Sequence, residues 1–379
     1  MARSAYLDNL KVLLVAGVIA VHTSITYGVD GSWYLESLEP AADPVTGALI
    51  VPVGIGFLFG MGLFFLIAGK LSAPSLERKG PGRFMRDRLV RLGLPLLFYM
   101  FAISPFLAYV DHRYNDDGTQ SFGPFVRGEL DDFAPGPTWF LEALLLFTAG
   151  YALLRARRPR AVDGAPPLTG RLLVKLGIAL ATISFVTHFA FPIGSEQLHL
   201  QLSLFPQYVM LFALGALSGE RGWLESVPRA LERRCGIVAA AAALALPVVL
   251  VAGGFADDDE PFGGGWHWQA AAGSLIEAGL AIGASIWLLG FFRRRLAEQG
   301  PRMRWMASGA YPAFVLHPPI VVGLALALDP VGVPAEVKLV TVMALGIALA
   351  FAAGRAVTRL PRPALPAPYV SPSRAGPSR

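Results

Sequence analysis

Five ionisable side chains lie well inside long apolar stretches of this sequence: His22, Glu142, His188, Glu277 and His317. A titratable group surrounded by hydrocarbon is expensive and by default marks function. A neutral imidazole near physiological pH can act as a general base. A carboxylate at the same depth could orient such a ring and stabilise its cationic form. His22 follows Lys11 by eleven residues, about 16 Å along a helix. With Lys11 at the cytoplasmic surface, His22 falls in the outer half of a membrane span. Glu142, in Pro137-Thr138-Trp139-Phe140-Leu141-Glu142, lies about one turn below the outer surface. A His22–Glu142 pair is therefore one reading of the spacing, and separate roles for the two are the other. The plainer alternatives are a packing histidine flanked by interface hydroxyls, Thr23 and Thr26, and a glutamate facing a watery outer vestibule.

His317 stands in Tyr311-Pro312-Ala313-Phe314-Val315-Leu316-His317-Pro318-Pro319. The prolines interrupt the helical ladder and leave carbonyls without their usual donors. Irregular backbone at membrane depth is tolerated where it lines a cavity. A kinked helix whose histidine bonds the freed carbonyls fits equally well. His188 and Glu277 carry less information, and His112, His199 and His267 fall on outer loops or helix ends. A third group is the run Arg83-Phe84-Met85-Arg86-Asp87-Arg88-Leu89-Val90-Arg91 before Leu92-Gly93-Leu94-Pro95. On a helix Arg88 and Arg91 share a face at i, i+3. Arginine suits multidentate phosphate binding, and a cytosolic ligand with several phosphates, such as coenzyme A, would suit this run. Positive charge anchoring lipid head groups looks the same from composition alone.

The elements that position these residues are membrane helices. The chain of 379 residues is 54% hydrophobic and only 16% charged, against roughly 25% charged in soluble domains. Ten apolar segments each reach the length that crosses about 30 Å of hydrocarbon. They are about Leu7–Tyr27, Val45–Leu71, Leu92–Val110, Thr138–Leu154, Leu172–Phe191, Leu202–Leu217, Gly236–Phe255, Gln269–Phe292, Ala310–Leu328 and Val337–Val357. All must be helices, because backbone groups in lipid need internal partners. The predicted fold is an all-α polytopic membrane bundle of about ten transmembrane helices. Basic residues crowd alternate connections, as in Arg78 to Arg91, Arg155 to Arg171, Arg221 to Arg234, Arg293 to Arg304 and Arg355 onward, while the other connections are acidic. The positive-inside rule then puts both termini in the cytoplasm.

Residues 1–360 are predicted to form the membrane domain. Residues 361–379, rich in Pro, Ser and Arg, are predicted to be a disordered cytoplasmic tail. The first segment carries Asp8, Lys11 and His22 without a clear small-residue cleavage site, so it reads as a retained helix rather than a signal peptide. The single Cys235 excludes an intramolecular disulfide. No Cys/His cluster has zinc-ligand spacing, so no metal site is expected. The basic residues form no stripe interleaved with aromatics, so no nucleic-acid partner is expected. No matching pair of broken helices marks an inverted-repeat transporter.

In order along the chain, these pieces resemble the acyltransferase-3 family of integral-membrane O-acyltransferases. Tyr6-Leu7-Asp8-Asn9-Leu10-Lys11 followed by His22 resembles the first helix of that family, although lysine stands where arginine is usual. Val53 to Gly69, ending Phe64-Phe65-Leu66-Ile67-Ala68-Gly69, resembles its second helix. Arg88-x-x-Arg91 before Leu-Gly-Leu-Pro, Thr138-Trp139-Phe140-Leu141, and Tyr311 to Pro319 resemble later motifs. The likeness covers essentially the whole chain and is nearest to the branch containing glucan succinyltransferases. It implies transfer of an acetyl, succinyl or similar group from cytosolic acyl-CoA, a substrate rather than a resident cofactor, to a hydroxyl of a glycan, lipid or small-molecule acceptor. His22 would be the base, with Glu142 supporting it. Lys11, Arg86, Arg88 and Arg91 would hold the donor phosphates. Trp139, Tyr311 and His317 would line the substrate path. A bacterial inner membrane would be the location, with membrane lipids as neighbours. The competing reading is a transporter or flippase, which uses the same buried polar groups but consumes no acyl-CoA.

Overall fold

A computed structural model describes residues 4–35, 40–116, 118–128, 134–157, 168–195, 197 and 199–360. The helices are α1 (Ala5–Thr26), α2 (Asp43–Arg88), α3 (Leu94–Phe98), α4 (Ser104–Tyr114), α5 (Phe122–Gly128), α6 (Trp139–Arg157), α7 (Gly170–Ala190), α8 (Phe205–Arg221), α9 (Arg229–Gly253), α10 (Glu260–Gly263), α11 (Trp268–Ala278), α12 (Ser285–Arg295), α13 (Pro301–Leu328) and α14 (Ala335–Val357). Short π-helical turns join α2 to α3, α3 to α4 and α11 to α12, at Leu89–Gly93, Tyr99–Ile103 and Gly279–Ala284. The predicted tail, 361–379, lies outside the described residues, as do the acidic Asp131/Asp132 and part of the basic connection after α6.

Among the described residues, nine helical runs are long and apolar enough to cross a membrane. Eight correspond one to one with predicted segments. The ninth, Asp43–Tyr114, spans 72 residues and contains both the second and the third. At 1.5 Å per residue a straight run of that length would extend about 108 Å, far beyond one bilayer. Gly80 resolves this. Its φ of 71° and ψ of 164° fall in a region essentially reserved for glycine. The chain reverses there. Arg88 and Ser72, each eight residues from Gly80, meet through a 3.2 Å hydrogen bond from the guanidinium to the hydroxyl. Leu76 and Phe84, each four residues away, pack in one cluster, and Lys79 pairs with Asp87. The basic stretch between the two apolar segments is thus a helical hairpin that continues both spans.

Apolar burial does not drive helices together in lipid, so close approach and polar contacts must. Helix α2 packs along α8 through glycines: a Cβ on Gly69 would fall 2.1 Å from the Phe212 carbonyl oxygen, and one on Gly215 would fall 2.0 Å from that of Leu66. Helix α1 packs on α2, α12, α13 and α14, while α6 packs on α2. Most of the ionic pairs gather at one end. Glu232 is buried and bonds Arg293 and Arg294, Glu220 bonds Arg155 and Tyr151, and Lys70 bonds Glu225. The start of α1 belongs to this end, because Asn9 donates to the carbonyls of Leu296 and Glu298 beyond α12.

Candidate functional site

Proline chemistry builds the site. An α-helical N–H bonds the carbonyl four residues earlier, and proline has no N–H. Pro318 therefore leaves the Phe314 carbonyl without its regular donor. His317, one residue before the proline, fills the vacancy: its Nδ1 lies 2.6 Å from the Phe314 oxygen. The imidazole is fully buried, and its Nε2 lies 2.8 Å from Nδ1 of His22 on α1.

Hydrogen-bond logic assigns both tautomers when the rings are neutral. A carbonyl oxygen only accepts, so Nδ1 of His317 carries its proton and Nε2 keeps a lone pair. Nδ1–H of His22 must then donate to that lone pair. Nε2 of His22 is left unprotonated, with a lone pair free to accept a proton. A bond of this type between two membrane helices contributes on the order of 0.5–2 kcal/mol. Its larger effect is to fix which nitrogen of His22 is basic.

Trp33, from the segment between α1 and α2, covers the pair. Its ring stacks on His22 at 4.1 Å with an interplanar angle of 11°, and on His317 at 6.0 Å. It is buried, and its Nε1 has no hydrogen-bond partner among the described residues. The hydroxyls near His22 are occupied by their own helix: Thr23 donates to the Ile19 carbonyl and Thr26 to that of His22. Both bonds stay within α1.

The structure does not join Glu142 to His22. The ring and hydrogen-bond partners of His22 are Trp33 and His317. Sequence spacing puts the two at comparable depth, but depth does not fix the direction a residue faces. Trp139, in the same turn as Glu142, stacks on Tyr208 at 5.6 Å.

Tyr311 repeats the proline device at another depth. Pro95 cannot serve the Arg91 carbonyl, and the Tyr311 hydroxyl donates to that oxygen at 2.6 Å. Helix α13 thereby touches the basic hairpin and carries His317 six residues, about 9 Å, further on. Arg88 is held by Ser72 and lies over the Phe84 ring at 4.9 Å, while Arg86 and Arg91 are exposed. Lys11 forms a 2.6 Å ion pair with Asp8.

A second polar group is buried between α7, α8 and α11, where Glu277 and His188 meet partners the sequence reading did not single out. Ser184 and Gln207 each donate to Oε1 of Glu277 at 3.1 Å, and Ser274 lies 3.5 Å from His188. His188 is buried here rather than reaching water at a helix end. The partners Ser184, Gln207 and Ser274 come from three different helices and leave no contiguous motif. Among the described residues no cluster of three or more His, Cys, Asp or Glu could hold a metal ion.

A bundle of apolar membrane-spanning helices with an imidazole pair enclosed between two of them defines the class: an integral-membrane helical protein with a buried histidine pair. Residues 4–355 match the acyltransferase-3 family, described as an acyltransferase domain. The chain belongs to that family, and is a membrane acyltransferase of groups other than amino-acyl groups. Among curated proteins it is similar to glucans biosynthesis protein C of Shigella dysenteriae serotype 1 (strain Sd197), at 23% identity over 84% of this chain and 82% of the relative. The proteins of the same name from Salmonella schwarzengrund (strain CVM19633), at 22%, and Escherichia coli O157:H7 (strain EC4115 / EHEC), at 23%, match over the same shares of both chains. No solved structure matches the chain.

Proposed function

We infer that this protein moves an acyl group from cytosolic acyl-CoA to a hydroxyl of a glycan, using His22 as general base. The observation that carries the reading is the His22–His317 hydrogen bond, which leaves Nε2 of His22 with a lone pair. In the proposed step, Nε2 of His22 takes the acceptor hydroxyl proton as the oxygen attacks the thioester carbonyl. The C–S bond then breaks, and the departing thiolate recovers that proton from His22. His317 accepts from Nδ1–H throughout and holds the ring in place. Glu142, near the outer end of α6, faces the side from which an external acceptor would come. Trp139 would line that approach.

Arg86, Arg88 and Arg91, with Lys11 partly neutralised by Asp8, supply the positive charge for the donor phosphates. Tyr311 ties that hairpin to the helix carrying His317. The clustering of most ion pairs and of the α1 start at one end, together with the positive-inside rule, supports a cytoplasmic location for this end and for both termini. The relatives are named for glucans biosynthesis, which favours a glycan over a lipid or small-molecule acceptor. Their bacterial sources favour a bacterial inner membrane.

The test is release of free CoA thiol by purified protein in nanodiscs given acyl-CoA and a candidate glucan. Thiol release that depends on the acceptor is expected. A protein shown folded that consumes no acyl-CoA with any acceptor sinks the reading and redirects work to transport of the same ligands.

A further inference from the structure

A groove of about 320 Å³ opens between the start of α13 and the end of α14, lined by Pro301, Arg304, Trp305, Ser308 and Arg355. Its composition points to a ligand. Two guanidinium groups face it, and the Nε of Arg355 is buried without a hydrogen-bond partner among the described residues. An unmet donor on a charged group is costly unless something supplies an acceptor. Trp305 keeps 38% of its surface exposed and offers a flat face for a ring.

The groove also aligns with the site already described. Arg304, Ser308 and Tyr311 follow one another at i, i+4 and i+7, a single helix face. Tyr311 on that face donates to the Arg91 carbonyl, so the groove lies on the side of α13 that meets the basic hairpin. At the floor the two helices approach closely, since a Cβ on Gly354 would come within 2.3 Å of the Gly309 oxygen. Along α13 the groove lies thirteen residues from His317, about 20 Å. Arg91, level with Tyr311, is only about half as far from the histidines. Arginines at two distances along one face fit a donor with phosphates at two positions.

We propose that this groove holds the nucleotide end of the thioester donor, with Arg304 and Arg355 on the phosphate monoester of its ribose and Trp305 against its base. The diphosphate link then falls to Arg88 and Arg91. The proposal rests on the acyl-CoA reading and adds which part of the donor is held where. A lipid head-group phosphate presents similar chemistry, and the test separates the two.

The full chain is placed in nanodiscs of zwitterionic lipid. Affinities are measured for CoA and for dephospho-CoA, which lacks only the ribose phosphate. Wild type is expected to bind CoA at least about tenfold more tightly, the scale of a charge-assisted hydrogen bond. Arg304→Ala/Arg355→Ala is expected to bring that ratio close to one. A ratio is insensitive to partial loss of folded protein. Arg304→Gln, a change at an exposed position, is expected to lower it at least threefold. A wild-type ratio near one overturns the proposal, as does a double variant that keeps the wild-type ratio. If anionic phospholipid raises the melting temperature of wild type but not of the double variant, while the ratio stays near one, the groove belongs to lipid and the proposal falls. Absence of any CoA binding by wild type removes the acyl-CoA reading itself, a result distinct from an altered ratio.

Discussion

Nδ1 of His22 lies 2.8 Å from Nε2 of His317, and this bond joins the first span of the bundle to the ninth predicted one. It gives His22 a neutral hydrogen-bond acceptor where one reading of the sequence offered a carboxylate. A carboxylate would stabilise an imidazolium more strongly, because charge-assisted bonds are about twice as strong as neutral ones. A neutral partner still orients the ring and selects the basic nitrogen.

His317 is accordingly expected to act through His22. Replacing it with alanine removes the acceptor and frees the His22 ring to rotate. Turnover should fall about ten- to a hundredfold, the scale for misplacing a reacting group, with little change in donor KM. His317→Gln, whose carbonyl oxygen can accept from Nδ1–H of His22, should recover part of the loss. Equal effects of both substitutions on turnover would argue against the orienting role.

Pro318 should separate stability from activity. Pro318→Ala restores an N–H that competes with His317 for the Phe314 carbonyl. The helix gains a regular bond, so the melting temperature should hold or rise. Turnover should fall several-fold because the tautomer of His317 is no longer fixed. A variant of unchanged turnover would show that the carbonyl bond does not matter to catalysis.

Gly80 sets the hairpin that carries Arg88 and Arg91. Nothing lies within 4 Å of a Cβ built there, so the effect of Gly80→Ala comes from backbone strain alone. The expected cost is about 1–3 kcal/mol, read as lower thermal stability in detergent. Gly82→Ala has equal space and helical backbone, and should be nearly silent. Equal behaviour of the two would remove the strain argument.

Tyr311→Phe leaves the Arg91 carbonyl without its side-chain donor. A cost of about 1 kcal/mol is expected, together with weaker acyl-CoA binding and little change in turnover at saturating donor. Unchanged donor affinity would detach Tyr311 from the binding region.

Much of this was legible in the sequence because membrane physics is coarse. Long apolar blocks and alternating basic connections point to an all-helical bundle of about ten segments, and the described residues hold nine apolar runs with one folded on itself. The fold at Gly80 was hidden because charged residues continue a helix beyond the lipid without a change of pattern. His22 and His317 stood out as ionisable groups in apolar surroundings, and His-Pro even disclosed the freed carbonyl. Their pairing did not show, since depth along two helices leaves the facing direction open, and Glu142 had a similar depth. Trp33 lay in a connection, where no periodicity reports what a side chain covers.

The central claim is that His22 performs the chemistry after the arginines have bound the donor. Its most direct test is acyl-CoA binding and turnover by wild type, His22→Ala and Arg88→Ala/Arg91→Ala in nanodiscs. The account predicts that His22→Ala binds donor normally and loses at least ~10²-fold in turnover, while the arginine variant loses binding. A folded His22→Ala protein with near wild-type turnover would contradict it.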